Sequence, residues 1–110
     1  MNWIPLQSES QLQEIKAKSA DRPQLIFKHS TRCSTSAVVK GRLERAQKPE
    51  SIDFYYLDLL SYRPISNQVA DLFRIDHESP QVLLIRDGEC VYDESHMGIT
   101  MDEIVDASAA

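Results

Sequence analysis

Apolar positions fall in short blocks along the chain, and their spacing switches between the strand and helix periods. Trp3 to Leu6 predicts a short edge strand. Ser8 or Ser10 can cap a helix running to about Ala20, with Leu12, Ile15 and Ala17 toward one side. Gln24 to Lys28 contains Leu25-Ile26-Phe27, an apolar run short enough for a buried strand. The polar stretch HSTRCSTS reads as a loop. From Ser34 to about Gln47, Ala37, Val38, Val39, Leu43 and Ala46 suit a helix, which Gly41 weakens slightly. Ile52 to Leu57 is the next strand. Ser61 then caps a helix with Pro64 in its first turn and Ile65, Val69, Leu72 and Phe73 on one apolar face. Val82 to Ile85 and Glu89 to Tyr92 flank Asp87-Gly88, a strong hairpin signal. Thr100 and Glu103 predict a capping box for a last helix, and Ala107 to Ala110 are expected to fray.

The predicted order is β-α-β-α-β-α-β-β-α. Strands separated by helices imply parallel pairing through right-handed crossovers, and the last two strands form an antiparallel hairpin. The expected architecture is α/β: a mixed central sheet with helices on both faces, in the order of the thioredoxin fold. With 110 residues the chain is read as a single domain over positions 1–110.

Composition narrows the function. Net charge is -5 and the basic residues form no long run, which argues against nucleic acid as a partner. The opening MNWIPLQSES has neither a basic region nor an apolar run, and apolar stretches stop at about five residues, far below the ~20 that span a bilayer. The expectation is a cytoplasmic protein without membrane attachment. Thiols there stay reduced, so Cys33 and Cys90 are not expected to form a structural disulfide.

Cys33 sits where a buried strand hands over to a helix, near unpaired N–H groups and the positive end of the helix dipole. Both favour the thiolate, so a lowered pKa is expected. Arg32 adjoins it, and Lys28 and His29 lie close in sequence. Ser36, one turn on, is expected to donate a hydrogen bond to the sulfur, completing a Cys-x-x-Ser motif. Pro80 precedes the strand Val82 to Ile85, where the thioredoxin fold places a cis-proline facing its cysteine. Ser79 would then offer backbone to an extended substrate. With no second cysteine in the motif, a mixed disulfide at Cys33 must be resolved by an outside thiol or by Cys90. Across the Asp87-Gly88 turn, Cys90 pairs with Ile85 and is expected to share a face with Leu83, Ile85 and Tyr92 as a buried hydrophobe. A metal site drawn from His29, Cys33, Cys90 and His96 matches no standard spacing, and no metal is expected. His29 is either a base for a thiol or a solvated loop histidine, and Trp3 is assigned to packing.

LIFKHSTRC, Ser36, the ESPQVLLI segment with Pro80, and HMGIT resemble the monothiol bacilliredoxins, redox proteins of the thioredoxin superfamily. The resemblance covers nearly the whole chain. It implies a thiol-disulfide oxidoreductase that removes bacillithiol, or a similar low-molecular-weight thiol, from S-thiolated client proteins. Cys33 would take the bacillithiol and a second bacillithiol would release it as the disulfide. No bound cofactor is implied; bacillithiol is a co-substrate. Ser34 stands where the family carries proline. In glutathione-binding relatives the start of the last helix holds a ligand carboxylate, so Gly98 and Thr100 join Lys28 and Arg32 as binding candidates, with plain helix capping the other reading of Thr100. Two further readings are carried: a thioredoxin-fold binding module for an iron-sulfur cluster or partner peptide, and a redox sensor in which Cys33 and Cys90 pair.

Overall fold

The computed structural model describes residues 1–109. The elements are β1 (Ile4–Pro5), α1 (Glu9–Lys18), β2 (Gln24–His29), α2 (Ser34–Arg45), β3 (Asp53–Asp58), α3 (Arg63–Phe73), β4 (Gln81–Arg86), β5 (Glu89–Ser95), a 3-10 turn at His96–Gly98, and α4 (Met101–Ala109). They form one five-stranded sheet in the order β1-β3-β2-β4-β5. No described helix is long and apolar enough to cross a membrane.

β2 is the central strand, and all six of its residues are buried. Its alternation divides the core. Leu25 and Phe27 face one side with Phe54, Val82 and Leu84, under Val39 and Leu43 of α2 and Ile104 of α4. Ile26 faces the other side with Leu57, Leu83 and Ile85, under Leu12 and Ile15 of α1 and Ile65, Val69 and Phe73 of α3. A strand covered on both faces has no solvent side to show, which is why its centre, Leu25-Ile26-Phe27, is an unbroken apolar run.

β1, β3 and β2 are parallel, as expected, whereas β4 runs antiparallel to β2 although a helix precedes it. The register gives the reason. β3 leaves the sheet at Asp58 beside His29, and β4 enters at Gln81 beside Lys28. Helix α3 and residues 74–80 therefore form an out-and-back excursion that returns to the same sheet end. That return sets Ser79 and Pro80 at the end of β2 from which the chain leads into Cys33. The Ser79–Pro80 peptide bond is cis.

Several local expectations shift. The α3 N-cap is Tyr62, because the Ser61 hydroxyl donates to Asp58 Oδ2 at 3.1 Å; Pro64 does lie in the first turn. Only half of the α4 capping box forms: the Glu103 N–H donates to Thr100 Oγ1, but the Glu103 carboxylate accepts from Tyr92 Oη at 2.9 Å. Rather than fraying, residues 107–109 continue α4, held partly by the Arg86 guanidinium on the Ser108 carbonyl at 2.9 Å; Ala110 lies outside the described residues. In β5, Ile85 pairs with Cys90 as expected, but Leu84 then pairs with Tyr92 across a bulge. The extra residue flips the side chains that follow. Cys90 packs with Leu83 and Ile85, and Tyr92 packs on the opposite face.

Candidate functional site

Cys33 is the N-cap residue of α2, with extended backbone (φ -103, ψ 119) and a partly exposed side chain. Its N–H donates to the Ser30 carbonyl at 3.2 Å, and its carbonyl accepts from the Ala37 N–H at 3.1 Å. That second bond starts the helix, so the N–H groups of the first turn have no backbone acceptor ahead of them. The N-cap is the position from which a side chain normally accepts from those donors, and here a sulfur occupies it. No acidic residue stands in the first turn to compete for the positive helix end. Arg32, immediately before it, is exposed.

Ser36 lies one turn further on and is fully buried. The structure gives its hydroxyl partners other than the expected one. His29 Nδ1 lies 2.6 Å from Ser36 Oγ, and the Ser30 N–H donates to the same oxygen at 3.1 Å. No Ser36–Cys33 hydrogen bond forms. His29 is not a solvated loop residue either: it ends β2 at 5% exposure, on the face of Leu25 and Phe27. Its ring contacts Phe27 and Tyr56, and Trp3 stacks on Phe27 with a centroid separation of 5.4 Å. Burial lowers the His29 pKa below the usual imidazole range, and nearby Lys40 lowers it further, against Asp58 and Glu44. The sequence reasoning missed this pair. Extending the β2 alternation by one residue would have placed His29 on the face of Leu25 and Phe27.

Lys28 points to the opposite face. It is fully buried, and its Nζ donates to the Ser66 carbonyl at 3.2 Å and lies 3.2 Å from His77 Nδ1. Burial pulls the amine pKa down to about 8. A side chain so enclosed cannot meet a ligand carboxylate at the surface, so Lys28 is removed from the binding set. Its strand partner Gln81, also buried, fixes residues 74–80 through an N–H donated to the Asp76 carbonyl at 2.9 Å.

Pro80 is buried at the start of the β4 ladder, and its carbonyl accepts from the His96 N–H at 2.9 Å. Ser79 precedes the ladder and is half-buried, with no hydrogen-bond partner for its hydroxyl. The proposed carboxylate site at Gly98 and Thr100 does not take shape. The Glu94 carboxylate carbon lies 3.0 Å from where a Gly98 Cβ would sit, Thr100 caps Glu103, and Asp102 and Glu103 already oppose the α4 dipole. An incoming anion would meet like charge there. Arg42 instead braces this turn, donating to the Met97 and Ile99 carbonyls at 2.9 Å each.

Cys90 is half-buried and its thiol donates to the Tyr92 carbonyl at 3.3 Å. Burial, then Asp93, pushes its pKa up to about 11. Through Ile85 it stands level with Gln24, at the start of β2, whereas Cys33 follows the end of that strand. Five strand residues separate the two levels, on the order of 16 Å. A disulfide needs Cα atoms about 4.4–6.8 Å apart, so the Cys33–Cys90 sensor and Cys90 as a resolving thiol are both excluded in this fold. For the same reason His29, Cys33, Cys90 and His96 are not brought together.

Comparison with known proteins agrees with this geometry. A thioredoxin-fold protein classed as a candidate oxidoreductase superposes with a TM-score of 0.82 at 27% identity, over 94% of this chain and 91% of that one. Thioredoxin from Malassezia sympodialis superposes at 0.76 with 14% identity, over 98% and 90% of the two chains. The short form of spinach chloroplast thioredoxin f gives 0.70 at 12% identity, over 96% and 88%. The fold is therefore that of thioredoxin, and a redox thiol function is supported by the 27%-identical oxidoreductase neighbour and by the family match. Residues 4–104 match the profile of the monothiol bacilliredoxin BrxC. A lone N-cap thiol with no second cysteine one turn on suits a one-thiol protein, and the chain belongs to the monothiol bacilliredoxin family.

Proposed function

We propose that the protein is a thiol-disulfide oxidoreductase that strips bacillithiol, or a similar low-molecular-weight thiol, from mixed disulfides on client proteins. The observation that carries this reading is the partly exposed Cys33 sulfur at the α2 N-cap with a buried serine, not a cysteine, one turn later. The Cys33 thiolate attacks the bacillithiol sulfur of the mixed disulfide. The client sulfur leaves as a thiolate and takes up a proton from solvent. Cys33 now carries bacillithiol. A second bacillithiol thiolate attacks that bacillithiol sulfur, forms bacillithiol disulfide and frees the Cys33 thiolate. Ser36 cannot intercept the intermediate and Cys90 is too far, so turnover depends on the external thiol.

Ser79, beside Pro80 and outside the sheet ladder, offers backbone to an extended client segment. Arg32 supplies an exposed positive charge to bacillithiol's carboxylates. Clients and the low-molecular-weight thiol are the partners, in the cytoplasm. The test incubates a bacillithiolated protein with wild type, Cys33→Ala and Cys90→Ala, and follows bacillithiol release by mass spectrometry. Wild type and Cys90→Ala release it and Cys33→Ala does not. Equal release by wild type and Cys33→Ala would overturn the proposal.

A further inference from the structure

Lys28 and Gln81 stand opposite each other in the β2–β4 pair, and both are buried. Between them they hold three successive residues of the segment that leads into β4. Gln81 donates to the Asp76 carbonyl at 2.9 Å and accepts from the Glu78 N–H at 3.4 Å. Lys28 Nζ holds His77 between these two, lying 3.2 Å from its Nδ1 while donating to the Ser66 carbonyl at 3.2 Å. The Ser66 hydroxyl lies 3.4 Å from the same ring nitrogen. An ammonium has three hydrogens to donate and no lone pair. The Nδ1 that meets it must therefore be bare, with the imidazole neutral and its proton on Nε2. His77 is exposed whereas Lys28 is fully buried, so solvent protons reach the ring. A proton arriving at Nδ1 replaces the hydrogen bond with two cations in contact.

We propose that Lys28 and His77 form a proton-operated catch on residues 74–80: neutral, His77 docks the segment on the buried amine, and protonated, it is driven off and the segment loosens. One proton binds His77 Nδ1 and the Lys28–His77 hydrogen bond breaks. The groups around the ring set the sign. Burial disfavours the imidazolium most, and Lys28 from β2 and Arg63 from α3 repel it. Glu78 of the same segment opposes them, although its carboxylate also lies 3.0 Å from His96 Nε2. The balance lowers the His77 pKa, so docking is complete above the ordinary imidazole range and is lost as pH falls below it. Lys28, at about 8, keeps its charge across that range. Ser79 lies two residues beyond His77, so the catch governs how firmly the client edge is held; that consequence alone rests on the proposed function.

Two readouts test the catch without any bacillithiol. In the first, His77 ring protons are titrated by NMR in wild type and Lys28→Met. The midpoint should lie at higher pH in Lys28→Met, because the repelling cation is gone. In the second, amide hydrogen exchange follows the Glu78 N–H, which the segment holds against Gln81. Corrected for the intrinsic exchange rate, its protection in wild type should fall roughly tenfold between about pH 7.5 and about pH 5, the worth of one charge-assisted hydrogen bond. His77→Gln offers Lys28 an uncharged acceptor, and should keep the neutral-pH protection without the acid fall. Equal His77 midpoints in wild type and Lys28→Met, or wild-type Glu78 protection that does not change with pH, would overturn the proposal. A protein that shows both effects yet releases no bacillithiol would instead refute the proposed substrate and leave the catch standing.

Discussion

Replacing Lys28 by methionine removes a buried charge while nearly keeping its volume, and the consequence for stability can be worked from the structure. The amine is fully enclosed and is held only by the Ser66 carbonyl and His77, with no carboxylate in contact. Its pKa falls from 10.5 to about 8 on folding, because burial disfavours the charged form. Between those values the unfolded chain binds more protons than the native one, so stability rises with pH. A gap of roughly 2.5 units at 1.36 kcal/mol each is about 3 kcal/mol. At neutral pH the substitution relieves that burden but removes the amine's two contacts, with the Ser66 carbonyl and His77, which costs about 1–3 kcal/mol, so the two proteins should be of similar stability there. Urea unfolding followed by Trp3 fluorescence should then show wild type gaining about 3 kcal/mol over Lys28→Met between roughly pH 7 and 10.5. Cys90 and Tyr92, whose pKa values are raised on folding, pull stability the opposite way in both proteins and cancel in the difference. A difference between the two that does not change with pH would refute the reasoning.

Other perturbations probe separate features. Iodoacetamide near neutral pH should label Cys33 and spare Cys90, whose thiol is pushed up to about 11, as peptide mass mapping would show. His77 is lowered on folding by burial, then by Lys28 and Arg63. Its contribution to stability is therefore complete above the unfolded imidazole range and is lost as pH falls through it, so His77→Gln should flatten the acid limb of the urea-midpoint profile. Arg74 ends α3 in the left-handed region at φ 57, and Arg74→Gly should raise stability by roughly 0.5–1 kcal/mol in thermal melts. Gly88 turns the hairpin at φ 78 and donates its N–H to Ser19 Oγ at 2.8 Å; Gly88→Ala should cost about 1–2 kcal/mol.

The sequence alone determined the elements and their order, because each rests on a periodicity that one segment carries within itself. The apolar run of β2, the Pro64 start of α3 and the Asp87-Gly88 hairpin are all local. The same holds for the position of Cys33 between β2 and α2, and for the missing second thiol. Lys28, His29 and Ser36 were visible as residue types, but not their partners. Their neighbours lie 38, 7 and 6 residues away, at Ser66, Ser36 and Ser30. A period of two puts Lys28 and His29 on opposite faces of β2, yet only packing says that α3 covers one and α2 the other. The direction of β4 was likewise undecided until the register returned the chain to the sheet end it had left. One extra residue in β5 parted Cys90 from Tyr92, and the bulge that did so carries no signature in that strand. Periodicity is a property of one segment, whereas a hydrogen-bond partner, a burial cost or a distance between two sulfurs depends on two, and only the assembled sheet brings the second one near.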